Sequence, residues 1–138
     1  MQNGNTWTLR AQQIAQHDAF AQHLGTVAVE IKQDAVTVSM PYQPTLGLGR
    51  LLGGAISGLI DIAATAAFWA HPDITDNARG ATVGFTVNFL SLAAGVDLSA
   101  IASVRRRGGT LCTGDVSVRD PANTEVATAI VTYKMNLK

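Results

Sequence analysis

Within the run from Gly54 to Ala70 a single residue can ionise, Asp61. Ser57, Asp61 and Thr65 recur at i, i+4 and i+8, so all three share one face if the run is helical. A lone carboxylate facing a cleft can take a proton from water as a general base, or attack an electrophilic carbonyl itself. The same three residues could instead form a narrow solvated stripe on a buried helix, opposite Ile56, Leu59, Ile60 and Ala63. Surface stripes ordinarily use Glu and Lys, and the run contains neither. That absence favours the cleft.

Gly53 and Gly54 stand where such a helix begins. The first turn of a helix has unpaired N–H groups and the positive end of the dipole, and glycine lets a ligand approach that backbone closely. The pair either holds an oxyanion or simply makes a tight entry into the helix. Asp61 lies about 12 Å along the axis from Gly53 at the helical rise. A substrate touching both must lie along the helix, or the helix start must be irregular.

A third feature is Arg105-Arg106-Arg107, followed by Gly108-Gly109. On a regular strand Arg105 and Arg107 point to one face and Arg106 to the other. The run reads as a seat for phosphate groups, or as a charged edge that blocks strand-to-strand aggregation. Arg50 and Arg79 are lesser candidates for the same phosphate task. His17, His23 and His71 lack the spacing of a metal-binding set, so no metal is expected. No Gly-x-Ser-x-Gly elbow and no phosphate-cradling Gly-x-x-x-x-Gly-Lys loop occurs. Cys112, the only cysteine, excludes an intrachain disulfide and reads as a small buried strand residue.

The elements that must position these residues follow from hydrophobic period. Thr8 to Leu24 reads as a helix, with Ala11, Ile14, Ala15, Ala21 and Leu24 near one face and Gly25 as its stop. Val27, Val29 and Ile31, then Val36, Val38 and Met40, alternate around Gln33-Asp34 as a hairpin. The Gly-rich loop PTLGLGRLLGG leads into the apolar helix, which ends before Pro72. Four strand-like runs follow. The first alternates Val83, Phe85, Val87 and Phe89 with Thr82, Gly84, Thr86 and Asn88. The others centre on Val96–Val104, Cys112–Val118 and Glu125–Met135. The order α-β-β-α-β-β-β-β with short connections implies an α+β fold, an antiparallel sheet wrapped around a long apolar helix.

Composition sets the outer limits. Of 138 residues 47% are apolar and 14% charged, and ten basic groups balance ten acidic ones. That excludes general disorder and argues against a nucleic-acid binder. A membrane span is not expected, because the apolar run is at the short limit and its central Asp would cost about 2.5–3.5 kcal/mol. The start, MQNGNTWTLR, shows no signal-peptide pattern, and a cytoplasmic location is the simplest reading. A charge content well below the usual ~25% points to surface buried against further copies of the chain.

The order of elements, with LLGGAISGLIDIAATAA on the central helix, resembles the hotdog fold. It is most similar to acyl-CoA thioesterases of the phenylacetate-degradation (PaaI) type. The family enters its helix with His-Gly-Gly, then six residues, then an acid; here Leu52-Gly53-Gly54 is followed by six residues and Asp61. TVGFTVNFLSLAAG, Thr82 to Gly95, is similar to the family's next strand, and VSVRDPANTEVATAIVTYKM to its last two. The resemblance covers about Leu46 to Met135 and implies a single hotdog domain over residues 1–138, with an N-terminal helical segment at 1–25.

The resemblance also implies a function. The protein would hydrolyse an acyl-CoA thioester to free acid and CoA, with no cofactor beyond the CoA of the substrate. Asp61 would be general base or nucleophile, the Gly53 backbone N–H would hold the oxyanion, and Thr82 of a partner chain would place water. The site would lie between subunits of a homodimer or homotetramer. Gly54, Leu52, Ile60 and Thr65 would line the substrate, and Arg105, Arg106, Arg107 and Gly108 would meet the CoA phosphates. Two departures stand out. The family His is Leu52 here, and the Asn expected six residues earlier is Leu46. These replacements leave an alternative open, a hotdog protein that binds acyl-CoA without turning it over.

Overall fold

The computed structural model describes residues 6–47, 49 and 53–136. Its elements come in the expected order. An N-terminal helical segment comprises α1 (Thr6–Gln12), a π-helical turn (Gln13–His17) and α2 (Ala19–Leu24). The segment is not one continuous helix, because Asp18 is extended (ψ 153°). Gly25 ends it in the left-handed region, φ 76°, and its N–H returns to the Ala21 carbonyl. The buried Thr26 hydroxyl donates to the Ala15 carbonyl at 2.8 Å and holds the turn to the segment.

The hairpin of β1 (Val27–Lys32) and β2 (Ala35–Met40) follows. After a short 3-10 turn at Pro44–Leu46 comes α3 (Gly53–Trp69), then β3 (Arg79–Phe89), β4 (Leu98–Arg107), β5 (Leu111–Arg119) and β6 (Glu125–Asn136). The six strands form one sheet in the order β1-β2-β4-β5-β6-β3, with every pair antiparallel. β3 is therefore an edge strand, although it immediately follows α3 in sequence.

α3 packs across one face of this sheet. Leu59, Ile60, Ala63 and Phe68 are fully buried among Val36, Val38, Met40, Val118, Val126 and Val131. Burying each large aliphatic side chain stabilises the fold by about 1.5–3 kcal/mol. Because sheet and N-terminal segment cover most of its circumference, α3 needs no charged face. Close packing also sets residue size: a Cβ at Gly114 would stand 3.0 Å from Phe68 Cζ and 3.1 Å from the Ser103 carbonyl oxygen.

Two β-bulges alter what strict alternation predicts. In β4 the register shifts between Val104 and Arg106. Arg107 then shares the helix-facing side with buried Cys112, whereas Arg105 reaches Asp115 on the outer side. The expected shared face of Arg105 and Arg107 is thus corrected. In β3 the register shifts between Thr82 and Gly84, which leaves Val83 as the extra residue. Among the described residues, no helix is long and apolar enough to cross a membrane.

Candidate active site

Ser57, Asp61 and Thr65 are half-buried on α3, and Trp69 extends the stripe by one more step of four. The opposite side, with Ile56, Leu59, Ile60 and Ala63, is buried. The stripe does not face open solvent. It faces the start of β3, where the Thr82 hydroxyl donates to Asp61 Oδ1 at 2.7 Å. Thr82 therefore meets Asp61 of its own chain, whereas the resemblance had implied a Thr82 from a partner.

The bulge at Val83 makes this contact possible. Beyond it, Phe85 and Val87 pair with Val131 and Ala129, which are buried beneath α3. By strict alternation Thr82 would share the outer face with Gly84, Thr86 and Asn88. The extra residue returns Thr82 to the helix side, opposite buried Tyr133.

Tyr133, the β6 partner of Thr82, lies against the C-terminal end of α3. Its hydroxyl accepts the Trp69 indole N–H at 2.8 Å, and its ring stacks on Phe68 with centroids 4.9 Å apart. A Cβ on Gly80 would come within 2.5 Å of that ring, so only glycine fits there. Burial, reinforced by the nearby Asp61 charge, pushes the Tyr133 phenol above its usual pKa, against the Trp69 hydrogen bond. The phenol is therefore neutral at physiological pH. Sequence reasoning did not single out Tyr133. Its only available signal was an inward register position on the last strand.

The remaining candidates divide into those at the cleft and those away from it. Thr65 lies on the stripe. Gly53 and Gly54 are exposed at the start of α3, and the Phe89 ring lies against Gly53. The helix begins there without irregularity, so Gly53 and Asp61 remain about 12 Å apart along one axis. Ile60 does not line the cleft; it is fully buried in the core, as are Ala64 and Phe68. Leu46 is buried in its 3-10 turn and presents no polar group. Leu52 and Arg50 lie outside the described residues.

The arginine run is largely engaged elsewhere. Arg107 donates to Asp34 Oδ1 at 2.8 and 3.0 Å and to the Phe68 carbonyl at 3.0 Å. It caps the C-terminal end of α3 and ties that end to the β1–β2 turn, where Asp34 adopts φ 64°. Arg105 makes two hydrogen bonds to Asp115, at 2.8 and 3.0 Å, and that carboxylate holds its guanidinium pKa above the usual value. Arg106 is exposed and has no ion-pair partner among the described residues. Gly108 forms the β4–β5 turn, its N–H donating to the Leu111 carbonyl at 2.9 Å. Among the described residues, no group of three His, Cys, Asp or Glu is placed to hold a metal ion.

Solved structures share this architecture. A thioesterase family protein from Silicibacter pomeroyi superimposes with a TM-score of 0.86 at 24% identity, covering 96% of this chain and 99% of its own. A thioesterase from Haemophilus influenzae gives 0.82 at 16%, covering 91% and 87%. The PaaI protein of the Escherichia coli phenylacetic acid degradation operon gives 0.76 at 21%, covering 95% and 94%. The fold is thus the hotdog fold. No curated protein matches the chain. The family model of the thioesterase superfamily matches residues 48–127, more than half of the length. On that match, the chain belongs to the thioesterase superfamily.

Proposed function

We propose that this protein hydrolyses acyl-CoA thioesters, with Asp61 as the acid-base or nucleophilic group. The observation that carries the reading is the Thr82–Asp61 hydrogen bond, made by the one carboxylate on α3, with both residues half-buried. With Oδ1 engaged by Thr82, Oδ2 is left to accept a proton from water. The water oxygen then bonds to the thioester carbon, the carbonyl electrons move onto oxygen, and an N–H donor holds that charge. Collapse breaks the C–S bond, and the thiolate leaves and takes up a proton. In the nucleophilic variant Asp61 bonds to the carbon first, the C–S bond breaks as the thiolate leaves and takes up a proton, and water then hydrolyses the anhydride to free acid and Asp61 carboxylate. A single oxyanion donor is worth about 2.7–4 kcal/mol in such a transition state.

Gly53 is the proposed donor, but one carbonyl cannot stand within ~3 Å of both Gly53 and Asp61 of one helix. A second copy resolves this. β3 is an eleven-residue edge strand with exposed Val83 and Phe85, and joining two such edges would continue the sheet into a homodimer. Asp61 and Thr82 of one chain would then work with Gly53 of the other. The test is thiol release from a panel of acyl-CoAs. The parent protein releases CoA, and Asp61→Asn folds but does not; turnover retained in Asp61→Asn would overturn the assignment. One observation favours a second reading, binding without turnover: buried Leu46 supplies no polar group where the resemblance expects an Asn. Tight acyl-CoA binding without thiol release from any substrate would select that reading.

A further inference from the structure

We propose that Arg79, Lys134 and Arg106 bind a ligand carrying two or more phosphate groups, on the face of the sheet turned away from α3. Register places them there. Gly80 and Thr82 pair with buried Met135 and Tyr133 on the helix side, so Arg79 and Ala81 point outward with exposed Asn136 and Lys134. Past the β4 bulge Arg107 lies opposite buried Cys112, which turns Arg106 and its partner Thr113 outward. Thr113 pairs with Thr132, two positions from Lys134 on β6. The three cations thus share one end of the outer face. Arg79 and Lys134 line a single recess of about 260 Å³, together with Gly80, Ala81 and Asn136.

These charges are uncompensated. The other five described Lys and Arg side chains each have a carboxylate partner, whereas Arg79, Arg106 and Lys134 have none among the described residues. The nearest acid on this face, Asp115, stands two positions along β5 from Thr113 and is held by two hydrogen bonds from Arg105. Asp76, in the loop before β3, is held by Arg10. Like charges at neighbouring sheet positions repel, and in a chain of zero net charge this concentration is met by a bound anion. Arg79 and Lys134 are diagonal neighbours, about 7–8 Å apart at the backbone, so two long side chains can close on one phosphate. Arg106 lies two strands from Lys134, about 10 Å across the sheet, and suits a second phosphate. Joining two β3 edges uses backbone groups in the plane of the sheet, and adds a strand beside Arg79 without covering the outer face.

Calorimetric titration of the whole chain with orthophosphate, pyrophosphate, ADP and CoA tests the site. The variants are Arg79→Gln, Lys134→Gln and Arg106→Gln, with Lys32→Gln on the opposite edge strand as control; all four positions are exposed. The parent binds pyrophosphate, ADP or CoA more tightly than orthophosphate. Each of the three site variants weakens that binding about tenfold, the loss of one charge-assisted contact, and the control leaves it unchanged. Rising salt weakens it in the parent more than in the variants. CoA binding that falls in the variants and is displaced by pyrophosphate assigns the site to the phosphates of a coenzyme. Pyrophosphate or ADP binding that falls while CoA binding does not assigns it to a free polyphosphate. No binding of any probe, equal affinity in parent and variants, or orthophosphate binding as tightly as the others overturns the proposal. None of these readings requires thioester hydrolysis, so failure of the function proposed above would show separately, as absence of thiol release.

Discussion

Thr82 of β3 and Asp61 of α3 meet hydroxyl to carboxylate at 2.7 Å, because a one-residue bulge at Val83 turns Thr82 towards the helix. A regular strand would have directed the same hydroxyl to the outer face. The contact engages one carboxylate oxygen and leaves the other to the role proposed for Asp61.

Thr82→Val tests that role with little change of shape. Valine suits an edge strand, so unfolding by urea should shift by less than about 1 kcal/mol. The account expects kcat to fall about 10- to 100-fold with KM nearly unchanged, since orientation of a catalytic group acts mainly on the transition state. An unchanged kcat would make the hydrogen bond structural.

Arg107→Ala separates a structural arginine from a phosphate seat. The substitution removes hydrogen bonds to Asp34 and to the Phe68 carbonyl. Charge-assisted bonds of this kind are worth about 1.5–3 kcal/mol. The urea midpoint should fall accordingly, with KM for acyl-CoA changing less than about twofold in the folded variant. A tenfold rise in KM with stability intact would return Arg107 to the ligand.

Tyr133 carries a pH signature. Its pKa is raised on folding by burial and by Asp61. The stabilisation of its neutral form is fully present below the unfolded phenol pKa of ~10 and is lost as pH rises through the folded value. Stability should therefore fall above about pH 10. Tyr133→Phe should reduce that alkaline loss, while costing about 0.5–1.5 kcal/mol at neutral pH for the Trp69 hydrogen bond. Alkaline unfolding followed in both proteins checks the sign. An identical pH dependence would contradict the assignment of the alkaline loss to Tyr133.

Much of this molecule is legible in its residues. Period alone yields the order of helices and strands, and the missing Glu and Lys on α3 foretell a helix enclosed by a sheet. What period cannot show is a bulge. The insertions at Val83 and Arg105 reverse the faces of Thr82 and Arg105 relative to their neighbours, and both depend on pairing with strands distant in sequence. The break at Asp18 is hidden for a similar reason, since it depends on how the segment packs. Ile60 is misread as substrate-lining because a run apolar on nearly every side does not reveal which residues the sheet covers. Tyr133 is missed because its tie to Trp69 spans 64 positions.

Gly53→Pro removes the proposed oxyanion donor while keeping a residue favoured at the first position of a helix. The half-exposed Phe89 ring can yield to the added atoms. By itself the variant should lose about 10²–10³ in kcat.

The most direct measurement of the two-chain site mixes Gly53→Pro with Asp61→Asn, exchanges the subunits, and follows CoA release. Alone, Asp61→Asn should be inactive and Gly53→Pro should keep only about 1% of parental activity or less. A mixed dimer rebuilds one complete site, Asp61 from the first chain and Gly53 from the second, while its other site carries both defects. An equal mixture should recover about a quarter of parental activity by random reassortment of a two-fold dimer. No recovery after proven subunit exchange, with both parents folded, would contradict a site shared between chains.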